Sequence, residues 1–253
     1  MISEHTFAGS FTSFWEELLP LLTPSLVHVM NDHYRQRLTD DFGLLLRPVE
    51  QRANTDSAVI AEFAFYLAKS ATEARITIKT AYDDTQIRNQ ALTKAASIVS
   101  YYEGPVQYPP RTDLDEDELL EAFEIAQNYT RFFEQVPAKG TIQFLPPIAG
   151  AGFLENCQAD LAIGKALFEV KTVNRNLASK DIRQLVVYLA LQAATGDRKW
   201  NLGGFFNPRR AEYIQFAIDE VLAQISGGRS SSEVYHSLID FVSSSDVQFD
   251  TAF

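Results

Sequence analysis

Two acidic residues and a lysine in one short stretch are the residues of this chain most suited to chemistry. Residues 160–171 read Asp-Leu-Ala-Ile-Gly-Lys-Ala-Leu-Phe-Glu-Val-Lys. The Gly-Lys pair at 164–165 suits a type II′ hairpin turn, because glycine readily adopts the positive φ that its first central position requires. This turn would place Asp160 directly opposite Glu169. Strand alternation would then bring Lys171 to the same face as Glu169.

Two carboxylates that face each other across a hairpin repel, which destabilises the sheet. A divalent cation held between Asp160 and Glu169 would remove this repulsion, and their hard oxygen ligands suit Mg²⁺ or Mn²⁺. Such an ion can activate water and offset the negative charge that develops on a phosphate. The ammonium group of Lys171 would add a second, preorganised positive charge. The pattern therefore predicts a divalent-cation site with an amine beside it.

A polar pair follows on an otherwise apolar segment. Residues 179–194 are rich in Leu, Val and Ala and predict a helix, on which Gln184 and Tyr188 are spaced by four. Residues at i and i+4 share one helix face. A polar stripe on such a helix indicates that Gln184 and Tyr188 face a site.

The remaining pattern predicts an α/β fold in two parts. Residues 1–104 form a mainly helical N-terminal region with one short strand near 75–80, and the turn-rich stretch at 104–110 marks the domain boundary. Residues 111–253 form the second domain. Its predicted elements are a helix over 113–136, strands at 141–145, 157–163 and 166–173, a helix over 179–194, strands at 200–206 and 212–218, and a helix over 233–241.

This element order, with Asp followed by Glu-x-Lys, resembles the PD-(D/E)XK phosphodiesterases, the restriction-endonuclease-like superfamily, over about residues 113–218. Gln184-Leu-Val-Val-Tyr188 resembles the Gln-x-x-x-Tyr signature of the RecB-like branch. The resemblance implies an α-β-β-β-α-β core whose mixed sheet is flanked by helices. It also implies that the side chains of Asp160 and Glu169 and the backbone carbonyl of Val170 bind the metal. Lys171 would act on the attacking water, Gln184 would help hold the nucleophile or phosphate, and Tyr188 would line the site.

The chain departs from the family pattern in one place and leaves a choice open in another. Ala159 stands where the family name expects proline. The family often supplies a further glutamate from its first helix, and Glu118, Glu121 and Glu124 all compete for that role. Of the three, Glu121 is weakly favoured.

Composition limits the remaining possibilities. Cys157 is the sole cysteine of the 253 residues, so neither an intrachain disulfide nor a four-cysteine cluster can form. The sequence shows no signal peptide and no apolar run of membrane length, so we expect a cytoplasmic protein without a membrane partner. The net charge of −11 disfavours nucleic acid overall, but residues 165–210 hold nine Lys/Arg against three Asp/Glu.

The expected function is a Mg²⁺-dependent (or Mn²⁺-dependent) deoxyribonuclease that acts on DNA. By the same resemblance it would serve as the effector subunit of an anti-phage defence, restriction or repair system. The acidic composition predicts help from a protein partner or a second copy of the chain. Two alternatives stay open: an RNA-cleaving nuclease of the same fold, and a non-cleaving nucleic-acid-binding or scaffold subunit.

Overall fold

The computed structural model describes residues 1–52, 57–102 and 113–244 and is an α/β structure built on a six-stranded mixed sheet. The helices are α1 Glu4–Gly9, α2 Thr12–Leu18, α3 Pro24–Tyr34, α4 Ser57–Ala74, α5 Ile78–Asp83, α6 Thr85–Tyr102, α7 Glu116–Gln135, α8 Ser179–Ala194, α9 Ile218–Ile225 and α10 Ser231–Ser243. The strands are β1 Arg35–Arg37, β2 Ile142–Phe144, β3 Pro147–Ile148, β4 Cys157–Gln158, β5 Leu161–Ile163, β6 Ala166–Val170, β7 Leu202–Asn207 and β8 Glu212–Ala217.

The strands of the main sheet follow the order β1-β8-β7-β6-β5-β2. Only β6 and β7 pair in parallel, and α8 forms the crossover between them, as a parallel connection requires. All the other neighbours pair antiparallel. The strand β1 comes from the N-terminal region and covers the free edge of β8.

The predicted hairpin register is confirmed for the three pairs that lie in the ladder. Leu161 pairs with Phe168, and the next two pairs follow towards the turn. Gly164 has φ +54°, as the first central position of this turn requires. A Cβ atom at Gly164 would also collide with the carbonyl oxygen of Lys139, so a side chain is excluded on two grounds.

The predicted strand at 157–163 is two strands with a bend between them. The first part, β4, pairs with β3 in a separate two-stranded sheet, and β5 begins only at Leu161. The bend is held by two backbone hydrogen bonds: Ala159 N–H donates to the Pro146 carbonyl at 3.2 Å, and the Asp160 carbonyl accepts from Leu145 N–H at 2.9 Å. Asp160 therefore lies directly before β5, and the ladder between β5 and β6 does not include the predicted pair of Asp160 with Glu169.

Other predicted elements were confirmed or corrected. The helix predicted over 179–194 has these bounds in the structure. Apart from the strand at 157–163, the other helices and strands predicted after residue 113 differ by a few residues at their ends. The strand predicted at 75–80 is wrong. Instead, Thr77 caps α5, because its hydroxyl accepts a hydrogen bond from Thr80 N–H at 3.0 Å.

Two hydrophobic clusters lie on opposite faces of the sheet, and residues from both predicted regions contribute to each. One cluster joins α1, α2 and α3 to α8 and α10, with Phe7 and Trp15 fully buried. The other joins α4 and α6 to α7, around Phe63 and Phe132. The N-terminal helices therefore pack on both sides of the sheet. The predicted boundary at 104–110 lies outside the described residues.

Within the described ranges, the helices fall short of the length and apolar character that crossing a membrane demands.

Candidate functional site

Three side chains at the ends of β5 and β6 form the centre of the site: Asp160 directly before β5, Glu169 on β6 and Lys171 directly after β6. The Asp160 side chain accepts a hydrogen bond from Val170 N–H at 2.7 Å, which fixes it beside the second strand. Lys171 Nζ donates to Glu169 Oε1 at 3.0 Å, so these two residues form a buried ion pair. Asp160 also lies close enough to hydrogen-bond with Glu169 when one of the two carboxyls is protonated. The predicted convergence of Asp160, Glu169 and Lys171 is therefore present in the structure.

The helix α8 supplies the second part of the site. Lys171 Nζ donates a second hydrogen bond to Gln184 Oε1 at 2.9 Å, and Gln184 Nε2 donates to the Tyr188 hydroxyl at 2.9 Å. Because the lysine occupies the amide oxygen, the amide nitrogen must point along the helix towards Tyr188. Both side chains are buried, as the polar stripe predicted.

The first helix of the chain contributes a glutamate that sequence reasoning missed. The Tyr188 hydroxyl donates to Glu4 Oε1 at 3.2 Å, and Gln184 Nε2 lies 3.4 Å from the same oxygen. Glu4 is held there because Ile2 N–H donates to the Phe153 carbonyl at 2.9 Å, which ties the start of the chain to the loop after β3. No local pattern around Glu4 signals this role.

A cavity of about 940 Å³ opens beside the centre of the site. Its polar lining includes Asp160 and Lys171, and Val170 borders it between them. Glu62 from α4 also lines it and was not predicted from the sequence. Apolar and aromatic residues of α4 and α6, together with Pro147 and its neighbours, form much of the remaining wall.

Burial shifts the acid–base properties of the central residues. It raises the pKa of Asp160 to about 6, although the nearby charge of Lys171 acts in the opposite direction. Burial and the charge of Asp160 raise the pKa of Glu169 to about 8. Burial alone would lower the pKa of Lys171, but the charges of Glu169 and Asp160 raise it, so the amine stays protonated. Without a cation, the two carboxyls therefore retain a proton near neutral pH.

The donor atoms fit a hydrated Mg²⁺ or Mn²⁺. Glu169 Oε2 is buried and receives no hydrogen bond from the described residues, so it is a buried oxygen that lacks a partner. Asp160 adds a second carboxylate, and both are hard oxygen donors. Across residues 1–52, 57–102 and 113–244, no group of three or more Asp, Glu, His or Cys side chains is placed to hold a metal ion. Any ion at this point would therefore have Asp160 and Glu169 as its carboxylate ligands and take its other ligands from water or backbone oxygens.

None of the three glutamates of α7 that the sequence offered, Glu118, Glu121 and Glu124, joins this centre. Glu121 is fully buried, and its two oxygens are taken by Arg209 Nη2 at 2.6 Å and by Arg52 N–H at 2.7 Å. Glu118 caps the start of α7, where it accepts from Asp115 N–H at 2.9 Å. Glu124 forms an ion pair with Arg52 at 2.8 Å. The structure thus gives Glu121 a place in an internal ion pair.

The basic excess over residues 165–210 is partly used inside the protein. Arg209 is 2% exposed and pairs with Glu121, so it cannot contact a phosphate. Arg175 pairs with Asp181 at 2.6 Å, and Arg210 pairs with Glu212 at 2.9 Å. Fewer basic side chains of residues 165–210 are therefore free to bind nucleic acid than the sequence suggested.

Searches against protein-family models, curated proteins and solved structures gave no match.

Cys157 lines the same cavity but is not a reactive thiol. Burial, together with the charge of Glu4, raises the pKa of the Cys157 thiol to about 12. The thiolate is the nucleophilic form, so this cysteine stays inert at neutral pH. The chemistry of the cavity therefore depends on its carboxylates and its amine.

Proposed function

We propose that this protein is a metal-dependent nuclease that hydrolyses phosphodiester bonds, with DNA as its substrate. One observation carries the proposal: Lys171 is held between Glu169 and Gln184, beside a second carboxyl, Asp160, at the edge of an open cavity. Hydrolysis of a phosphodiester requires an oriented water and positive charge near the phosphate. These side chains are suited to both tasks.

The topology around the centre supports the same class of enzyme. The elements α7, β2, β5, β6, α8 and β7 follow each other in the order of the PD-(D/E)XK core, if the small β3–β4 sheet is left aside. Asp160 precedes the second core strand, Glu169 and Lys171 lie at the end of the third, and Gln184 and Tyr188 lie on the helix that follows. This arrangement favours the restriction-endonuclease-like core.

Each residue would have a distinct task. Asp160 and Glu169 would hold a divalent cation, which would supply Lewis-acid charge to the phosphate and acidify a nucleophilic water. Lys171 is protonated and fixed by two acceptors, so it can orient the water or bind a phosphate oxygen without rearrangement. Gln184 positions Lys171, and Tyr188 with Glu4 fixes Gln184 in turn.

The test is cleavage of matched single-stranded, duplex, nicked and supercoiled DNA and of matched RNA, with Mg²⁺, Mn²⁺ or EDTA. We expect DNA cleavage that needs the metal and is lost in Lys171→Ala. Lys165→Ala is a matched control, because Lys165 is exposed at the turn of the same hairpin. Cleavage of RNA alone would favour the RNA-cleaving alternative. Binding without cleavage in any condition would favour a non-cleaving subunit.

The acidic surface bears on how the substrate is recruited. A chain with a net charge of −11 gains little affinity from phosphate contacts alone. We therefore predict that a protein partner, or a second copy of the chain, supplies a basic surface for DNA. Titration of DNA binding at several salt concentrations, with and without candidate partners from the native host, would measure it.

A further inference from the structure

The cavity beside the centre favours a phosphate group at one place only. Among the described residues that line it, the charged side chains are one lysine and four carboxylates: Lys171, Glu4, Glu62, Glu155 and Asp160. Phosphate groups bind where positive charge neutralises them. The part of the cavity away from Lys171 therefore repels phosphate and suits an uncharged part of a nucleotide.

The helices α4 and α6 give the cavity an apolar, aromatic wall. It includes Phe65 and Tyr66 from α4, and Ile98, Val99 and Tyr101 from α6. Tyr101 is 76% exposed, which is unusual for so large a ring. Aromatic side chains in nucleic-acid sites serve as platforms on which bases stack. The volume of about 940 Å³ is sufficient for a base with its sugar.

Two polar side chains in the cavity lining lack a partner within the protein. The Tyr129 side chain is fully buried, and no described residue forms a hydrogen bond with its hydroxyl. Glu62 is largely shielded from solvent, which raises the pKa of its carboxyl, and no described residue donates to it. Buried polar groups are nearly always hydrogen-bonded. The edge of a nucleobase carries both N–H donors, which suit a carboxylate, and acceptors, which suit a hydroxyl.

Only an unpaired base can reach these groups. In a duplex, neighbouring bases cover the faces of each base, and the opposite strand occupies its Watson–Crick edge. We infer that the cavity binds an unpaired base of the substrate strand, stacked on the aromatic wall with its edge towards Glu62 and Tyr129. The position of the adjoining phosphate, at Lys171, rests on the proposed function. The N-terminal helices α4 and α6 would thus select a strand that is unpaired at the point of cleavage.

The experiment measures binding in EDTA, so that cleavage plays no part. Fluorescence anisotropy at low salt follows three labelled probes: a short single strand, the same strand in a blunt duplex, and an abasic strand of equal length and charge. The variants are Tyr101→Ala, Glu62→Ala and Tyr129→Phe. Phe42→Ala and Glu73→Ala are the matched controls, because both side chains are exposed and neither lines the cavity. Circular dichroism checks that each variant is folded.

We expect the wild type and both controls to bind the single strand at least roughly tenfold more tightly than the duplex or the abasic strand. Tyr101→Ala should reduce the affinity for the single strand by roughly tenfold and leave that for the abasic strand unchanged, because it removes stacking alone. Glu62→Ala and Tyr129→Phe should each reduce the preference for the single strand over the abasic strand by roughly two- to tenfold.

Three results would overturn the inference: equal affinity of the wild type for all three probes, no binding of any probe at low salt, or a preference for the single strand that persists in Tyr101→Ala and Glu62→Ala. Each would leave the proposed function intact, because cleavage at Lys171 does not require a base in the cavity. Conversely, base-dependent binding without cleavage in Mg²⁺ or Mn²⁺ would support the base site and remove the nuclease.

Discussion

Lys171 Nζ lies 2.9 Å from Gln184 Oε1 and thereby connects the end of β6 to the first turns of α8. The crossover between β6 and β7 runs through this helix, so the hydrogen bond ties the first half of the crossover back to the end of β6. The lysine has a second acceptor in Glu169, and its position is set before any substrate arrives. A preorganised amine of this kind stabilises developing charge without rearrangement.

Removal of this amine should abolish cleavage and spare binding. We expect Lys171→Ala to lower kcat by roughly a hundredfold or more, because a preorganised positive group is lost from the reacting centre. Lys165→Ala, which changes an exposed lysine of the same hairpin, should keep the rate of the wild type. The measurement is single-turnover cleavage of labelled DNA alongside a binding titration. Equal losses in both variants would show that Lys171 has no special role.

Gln184 should act by positioning Lys171. We expect Gln184→Ala to lower kcat by roughly ten- to a hundredfold with little change in KM, since Gln184 contacts Lys171 and does not line the cavity. Tyr188→Phe should give a smaller loss, because it removes only the hydroxyl that steadies Gln184. Gln192→Ala, on the last turn of the same helix, is the control. A rise in KM alone would instead assign Gln184 to substrate binding.

Metal-free stability should fall as pH rises. Folding raises the pKa of Asp160 to about 6 and of Glu169 to about 8, from ordinary values of 3.8 and 4.5. Between these values the folded state holds more protons than the unfolded chain, so the free energy of unfolding decreases from about pH 4 to about pH 8. Urea unfolding in EDTA at pH 5 and pH 8 measures the effect.

The double variant Asp160→Asn, Glu169→Gln should flatten this pH dependence, because neither replacement titrates. A fixed concentration of Mg²⁺ should stabilise the wild type more at pH 8 than at pH 5, since at pH 5 the ion must displace protons that occupy these carboxyls. Equal stabilisation by Mg²⁺ at both pH values would argue against a metal held by these two carboxyls.

Arg209 should contribute to the stability of the folded protein and not to DNA binding. Its pair with Glu121 is almost completely buried, so Arg209→Ala leaves an uncompensated carboxylate and should cost about 3–5 kcal/mol of unfolding free energy. Arg210→Ala removes a partly exposed pair and should cost about 1 kcal/mol or less. Urea unfolding of both variants tests this. A fully stable Arg209→Ala would contradict the structural role.

The central motif was predictable because its geometry is local. The register of the hairpin depends on one glycine and a two-residue turn, and the Gln184–Tyr188 contact depends on helical spacing alone. The strand predicted at 75–80 was wrong because alternation over so few residues is a weak signal for a strand. The Thr77 side chain instead caps a helix that begins at Ile78.

The outer part of the site was not predictable, because long-range packing creates it. Glu4 on α1 contacts Tyr188, and Glu62 on α4 lines the cavity, although both helices are far from the hairpin in sequence. Conversely, Glu121 is the glutamate that the sequence weakly favours for the site, but Arg209 from the β7–β8 turn approaches it and makes it half of an internal ion pair. Only the tertiary arrangement separates these two outcomes.

The shared packing of the N-terminal helices has a consequence for engineering. Helices α1 and α4 lie in the hydrophobic clusters on opposite faces of the sheet. They cannot be exchanged as a self-contained cassette, because a fragment that starts at residue 113 would present large bare apolar faces to solvent. A change of specificity by design would therefore be made at the residues around the cavity, within the intact chain.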